Sequence, residues 1–212
     1  MPPTNVDYAF ETFFPTTVLM ADYPHADRLN ATLADSVYQV RDNDTHGRGL
    51  SEENYGVGYT SFYSDVNLLT YEGFLELAEF ITQFGHGFAE HLDLDLSQHA
   101  LGMISYWVNI NPKFSFHHIH THPDALFSGV YYVQMSDGPG GKILFKDPRP
   151  AAATTTYPLK RKTGLNSDST TIEPVAGRLL MFPAWLPHGV DQNLGERDRI
   201  SISYNIGIRP KT

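Results

Sequence analysis

The sequence predicts a mainly β chain with added α structure, its strands closing into a sandwich or barrel and its helices confined to the first hundred residues. Three observations predict this. From about residue 101, short runs rich in Val, Ile, Tyr and Phe recur between turn-forming residues. No helical stretch separates those runs, which argues against parallel βαβ units. Upstream, two stretches place apolar residues at helical spacing.

The first helix is expected over Ala26 to Val40, where Leu29, Leu33, Val37 and Val40 fall on one face. Residues 41–60 are polar and Gly-rich and read as a long loop. The second helix is expected from about Tyr71 to Leu92, carrying Phe74, Leu75, Leu77, Ala78, Ile81, Phe84 and Phe88. Thr70 is its expected N-cap, and Gly85 and Gly87 are expected to end or interrupt it. Strands are expected at Leu101–Ile110, Phe114–His122, Ser128–Gln134, Lys142–Lys146, Thr170–Pro174, Leu179–Phe182 and Ile200–Ile208. Turn residues separate them at Asp137-Gly138-Pro139-Gly140-Gly141, Asp147-Pro148-Arg149-Pro150 and Asn193-Leu194-Gly195. There is no internal repeat. Residues 1–212 read as one domain, with 1–100 a mostly helical support and 101–212 the β core.

Composition narrows the function. A 212-residue chain, 41% hydrophobic, with 13 Phe and 12 Tyr, can bury a sizeable β core. Its 24 acidic and 15 basic residues give a net charge of -9, which repels phosphate backbones and gives no strong nucleic-acid signal. The one basic run, Lys160-Arg161-Lys162, reads as a solvated loop. The absence of cysteine excludes disulfides, thiolate nucleophiles and Cys-ligated metals. No stretch reaches the roughly 18 apolar residues of a membrane span. Met1-Pro2-Pro3-Thr4 lacks a signal-peptide pattern, so a cytoplasmic location is expected.

The chemistry concentrates at His117-His118-Ile119-His120-Thr121-His122, where four of the chain's ten histidines lie. On a strand, alternate side chains share a face. His118, His120 and His122 are thus expected to point together, with His117 and Thr121 opposite. Alternate residues lie about 6.5 Å apart along a strand, close enough for two imidazoles to share one ion. A metal-free polar strand or a storage-type histidine tract would also carry histidines. Three at period two inside a patterned strand favour a metal site. His188 in Ala184-Trp185-Leu186-Pro187-His188-Gly189-Val190 is the best further ligand. Alone it would pass for a loop histidine.

The strand after it alternates. Arg199, Ser201, Ser203 and Asn205 take one face, and Ile200, Ile202, Tyr204 and Ile206 the other. An inner polar face behind an apolar outer one suits a ligand-holding barrel. Arginine offers a planar fork that suits a carboxylate, although an exposed face with Arg199 in a surface ion pair would give the same pattern.

Taken in order, the histidine pair, Ser-Gly-Val-Tyr-Tyr-Val, Gly-Gly-Lys-Ile-Leu-Phe-Lys-Asp-Pro-Arg, Gly-Arg-Leu-Leu-Met-Phe-Pro-Ala-Trp-Leu-Pro-His and Arg-Ile-Ser-Ile-Ser-Tyr-Asn resemble a known family. It comprises 2-oxoglutarate/Fe(II)-dependent oxygenases of marine bacteria and phages, distant relatives of the prolyl hydroxylases. The resemblance spans about residues 101–208. It implies a double-stranded β-helix (jelly-roll, cupin-like) core with the N-terminal helices packed outside. It implies Fe(II) as metal and 2-oxoglutarate as cosubstrate, with an unidentified prime substrate hydroxylated. His120 and His122 match the first metal-binding segment and His188 the distal histidine. Arg199 matches the anchor of the far carboxylate, with Ser201 beside it. Tyr131 or Tyr132, and Asn109, match positions that contact the cosubstrate or line its cavity.

One departure stands out. The usual triad is two histidines and a carboxylate, but His122 occupies the carboxylate position. Asp124 swinging in, or a His118–His120 pair, would be alternatives. The missing carboxylate leaves two other functions open: a three-histidine cupin-type dioxygenase without 2-oxoglutarate, or a non-catalytic metal- or ligand-binding barrel. Arg199 argues for the cosubstrate. The partner is expected to be a small-molecule or peptide substrate, and the oligomeric state is not legible.

Overall fold

Alternation along the last strand sets the layers of the fold, because its apolar and polar faces must meet different surroundings. The computed structural model describes residues 6–149 and 158–211. Its elements in chain order are β1 (Leu19–Asp22), α1 (Ala26–Asn43), α2 (Thr45–Tyr55), β2 (Tyr59–Thr60), a 3-10 turn (Leu68–Thr70), α3 (Phe74–His91), β3 (His99–Asn111) and β4 (His117–His120). They continue with β5 (Phe127–Gln134), β6 (Ile143–Lys146), β7 (Ser169–Ile172), β8 (Arg178–Pro183), β9 (His188–Val190) and β10 (Arg199–Pro210).

The strands form two antiparallel sheets. The larger runs β1-β8-β5-β10-β3-β2 and the smaller β4-β9-β6-β7. Val130, Tyr132, Leu180 and Phe182 of the larger sheet pack with Ile143 and Phe145 of the smaller one. The result is the jelly-roll stack of a double-stranded β-helix. The opposite face of the larger sheet carries Ile200, Ile202, Tyr204 and Ile206 against Leu29, Leu33 and Val37 of α1 and Phe74, Leu77, Ile81 and Phe88 of α3. Burying one such side chain is worth about 1.5–3 kcal/mol, so this helix–sheet layer contributes much of the stability. The expectation of helices on the outside of a β core holds.

Details differ from expectation. Residues 45–55, expected within a loop, form α2. No apolar stripe signals it, because polar contacts hold it. Asp44 accepts the Gly47 amide at its start, Ser51 Oγ donates to Gly47 O, and Gly56 closes it in the left-handed conformation. Thr70 does not cap α3. It ends the 3-10 turn, and Gly73 precedes the helix without a side-chain cap. Gly85 and Gly87 lie inside α3 rather than ending it. A Cβ on Gly85 would come within 2.8 Å of Ile206 Cδ1, so the glycine lets helix and sheet approach. The first hundred residues also supply β1 and β2, the two outermost strands of the larger sheet. The basic run Lys160-Arg161-Lys162 is exposed outside regular structure, as expected. The turn expected at Asp147-Pro148-Arg149-Pro150 is described as far as Arg149; Pro150 lies outside the described residues.

Candidate metal centre and anion pocket

Between the two sheets lies a cavity of about 780 Å³. The smaller sheet supplies its histidines. β4 pairs with β9 so that His120 stands directly opposite His188. His122 lies just past the end of β4, its backbone N–H donating to Ala184 O at 3.0 Å. The ligand nitrogens of His120, His122 and His188 all lie within 4.8 Å of one another.

Hydrogen bonds prepare two of the rings. His188 Nδ1 lies 2.9 Å from Leu186 O, and His120 Nδ1 lies 2.7 Å from His118 O. A carbonyl can only accept, so each Nδ1 carries the proton and each Nε2 keeps its lone pair for a metal. His122 Nε2 and His188 Nε2 stand 3.3 Å apart, on rings nearly parallel at 12°. Phe182 packs edge-on to His188 at 4.6 Å. Burial pushes the His122 imidazole down to about 4 and that of His188 to about 3, so both are neutral near pH 7. Three imidazoles whose ring nitrogens converge suit a divalent metal.

No carboxylate joins this group among the described residues. Asp124 is exposed, at φ 67, and lies outside it. His118 is exposed, with its ring against Phe116. The strict alternation expected for the histidine run fails. The ladder with β9 is irregular between His117 and His120, and the strand ends at His120. His117 consequently lines the cavity instead of facing away.

The larger sheet supplies the polar wall. Arg199, Ser201, Ser203 and Asn205 of β10 all line the cavity, as their alternation predicts. Arg199 pairs across the ladder with Asn111 and Ser201 with Asn109, while Tyr132 of β5 flanks Ser201 on the other side. Asn109 lines the cavity, with its amide donating to Ser203 Oγ at 3.1 Å. The adjacent tyrosines take opposite faces of the sheet. Tyr132 lines the cavity. Tyr131 turns to the helices, its hydroxyl donating to Asn30 Oδ1 at 2.8 Å. Burial pushes the Tyr132 hydroxyl up to about 12, keeping it a neutral donor.

Arg199 is buried, and burial pulls its pKa below the usual arginine range. Its Nη1 donates to Gly141 O at 2.7 Å and its Nη2 to Asn111 Oδ1 at 2.9 Å. Both acceptors are neutral. Its Nε has no partner, and among the described residues Arg199 makes no ion pair. A buried cation without a counter-charge is costly unless an anion completes it. The cavity wall therefore fits an anionic ligand such as a dicarboxylate.

Sequence reasoning missed Asn111, His117 and Gly141. Guanidinium only donates, so Asn111 must turn Oδ1 to Arg199, leaving its NH2 to donate to His117 Nε2 at 3.1 Å. The signal was present: Asn111 shares strand parity with Asn109. Gly141 reaches Arg199 from the Asp137–Gly141 turn. It adopts φ 73, which favours glycine, and a Cβ there would come within 3.2 Å of Arg199 Nη1.

Residues 105–205 match a family model described as "Putative 2OG-Fe(II) oxygenase". No curated protein matches the chain. Among solved structures, a Pseudomonas putida prolyl-4-hydroxylase is similar at TM-score 0.59 and 16% identity, covering 92% of this chain and 93% of that one. The viral collagen prolyl hydroxylase of Paramecium Bursaria Chlorella virus-1, solved with 2OG, gives TM-score 0.55 at 12% identity over 89% and 94%. HygX from Streptomyces hygroscopicus, solved with nickel, 2-oxoglutarate and hygromycin B, gives 0.57 at 13% identity over 91% and 83%. These likenesses establish the fold, and the matched segment contains all three converging histidines and Arg199. Residues 105–205 of this chain are thus similar to the 2OG-Fe(II) oxygenases that the family model describes.

Proposed function

We propose that His120, His122 and His188 would hold Fe(II), that Arg199 and Ser201 anchor the far carboxylate of 2-oxoglutarate, and that the chain hydroxylates a small molecule or peptide. The observation that carries this reading is the pairing of two unsatisfied features in one cavity. Three imidazole nitrogens converge, with no carboxylate joining them among the described residues. Beside them a buried guanidinium keeps an unpartnered Nε.

When bound, Fe(II) with 2-oxoglutarate supplies the oxidising chemistry of dioxygen. The protein's part is positional. Leu186 O and His118 O hold two imidazoles in the tautomer that presents Nε2. Asn111 and Gly141 fix the guanidinium plane, so a carboxylate finds its donors already aimed. Ser201 and the Tyr132 hydroxyl, which line the same cavity, add neutral donors. Three histidines leave the centre one charge unit more positive than two histidines and a carboxylate, which strengthens its hold on an anionic cosubstrate. A location in the cytoplasm accords with a chain in which no described helix is long and apolar enough to cross a membrane.

The test is iron-dependent turnover of 2-oxoglutarate. Purified protein with Fe(II) and oxygen should release succinate above the rate of iron alone, and His188→Ala should abolish the excess. Equal succinate from the two proteins would refute the assignment.

A further inference from the structure

The cavity extends outward past the histidines along a wall of aromatic rings. Tyr55 at the end of α2, Phe62 and Tyr63 after β2, and Trp107 of β3 all line it. Their rings form a chain. Tyr55 and Tyr63 have centroids 6.4 Å apart, Tyr63 and Phe62 5.1 Å, and Phe62 and Trp107 4.9 Å. Trp107 in turn lies 5.9 Å from the ring of His122. The wall thus begins at a candidate metal ligand and runs to the surface, where Tyr55, Phe62 and Tyr63 are 40%, 44% and 48% exposed. Interplanar angles of 43°, 77° and 65° make it a set of corners rather than a flat stack. Angled ring faces of this kind can surround a compact group.

Charge narrows what that group can be. Of the side chains lining the cavity, only Arg199 and Asp124 are formally charged when the histidines are neutral. With Arg199 taken by the cosubstrate, Asp124 is the one lining side chain left charged to meet a second molecule. Aromatic faces attract cations and repel anions. The net charge of -9 adds a field of the same sign. A cavity of about 780 Å³ lies in the upper part of the range of about 300–1,000 Å³ typical of small-molecule sites, leaving room beyond a five-carbon diacid.

We propose that this outer chamber binds the prime substrate by an ammonium-type cation, held against Tyr55, Phe62, Tyr63 and Trp107 and balanced by Asp124, so that the substrate is a small cationic amine. The inference rests on the proposed function, which reserves Arg199 for 2-oxoglutarate.

Matched probes test it. Choline, its neutral isostere 3,3-dimethylbutan-1-ol and the anion 3,3-dimethylbutanoate differ mainly in charge. Their binding is read by Trp107 fluorescence in the full chain carrying Trp185→Phe, since Trp185 is the one other tryptophan. The titration is run under argon with Fe(II) and 2-oxoglutarate, and again without either. Choline should bind about tenfold tighter than the alcohol in both conditions. Asp124→Asn keeps a residue that tolerates the positive φ at this position, and Tyr63→Ala changes a half-exposed ring. Each should weaken choline severalfold while leaving the alcohol unchanged. Equal or tighter binding of the alcohol, tighter binding of the anion with 2-oxoglutarate present, or a choline preference that survives both substitutions would overturn the proposal. Failure of the underlying reading looks different: 2-oxoglutarate would not bind, whatever the probes do.

Discussion

Each proposed role of a side chain makes a separable prediction. Alanine at His120, His122 or His188 should sharply reduce iron bound per chain, measured by metal analysis after desalting. His117→Ala should keep its iron, because its Nε2 is occupied by the Asn111 amide and it stands outside the converging group. Iron lost from His117→Ala but retained by His122→Ala would reverse the assignment. Asn111→Asp tests the anion anchor through a nearly isosteric change. It would give the buried guanidinium an internal counter-ion, so 2-oxoglutarate affinity should fall by about 30-fold or more in calorimetry, with iron binding intact. Unchanged affinity would show that Arg199 does not need its charge free. The imidazoles also predict a pH dependence. His117, His122 and His188 are held down to about 4, 4 and 3 in the folded chain, whereas unfolded histidine titrates near 6.5. Below about pH 6.5 the unfolded chain therefore binds more protons, so the melting temperature of the metal-free protein should fall as pH drops from about 6.5 to 4. A flat profile across that window would contradict the neutral cluster.

At the scale of elements, legibility followed periodicity. β10 could be read residue by residue, because one face meets helices and the other a polar cavity. α1 and α3 were legible from their stripes, and Ile81 on α3 is fully buried against the larger sheet. Ile81→Asp should cost about 4 kcal/mol or more by combining a lost apolar contact with an unpaired buried charge. A variant that melts normally would contradict that packing. α2 escaped notice because capping and Ser51 hydrogen bonds hold it, and these leave no hydrophobic period. The histidine run misled for another reason: a strand irregularity breaks the parity on which an alternation argument depends. Parity also could not choose between Tyr131 and Tyr132 before the register with β10 was known. The aromatic wall was hidden for a third reason. Its rings come from α2, a turn and β3, which are brought together only by the fold.

At the scale of the molecule, two sheets of different character build one site. The smaller, with the residues just past its β4, contributes the histidines and the larger contributes Arg199, so the proposed metal and carboxylate sites face the same cavity from different layers. Substitutions at the two sites should consequently be separable. Arg199→Ala should retain iron yet lose 2-oxoglutarate, and Arg199→Lys should recover only part of the affinity because it lacks the planar fork. The central claim is that one cavity holds Fe(II) and 2-oxoglutarate together, and anaerobic absorption spectroscopy tests it most directly. Adding 2-oxoglutarate to the Fe(II)-loaded protein should produce a weak visible metal-to-ligand charge-transfer band that saturates at one equivalent and is absent from His188→Ala. A protein that binds iron at the histidines but shows no band with 2-oxoglutarate would contradict the account.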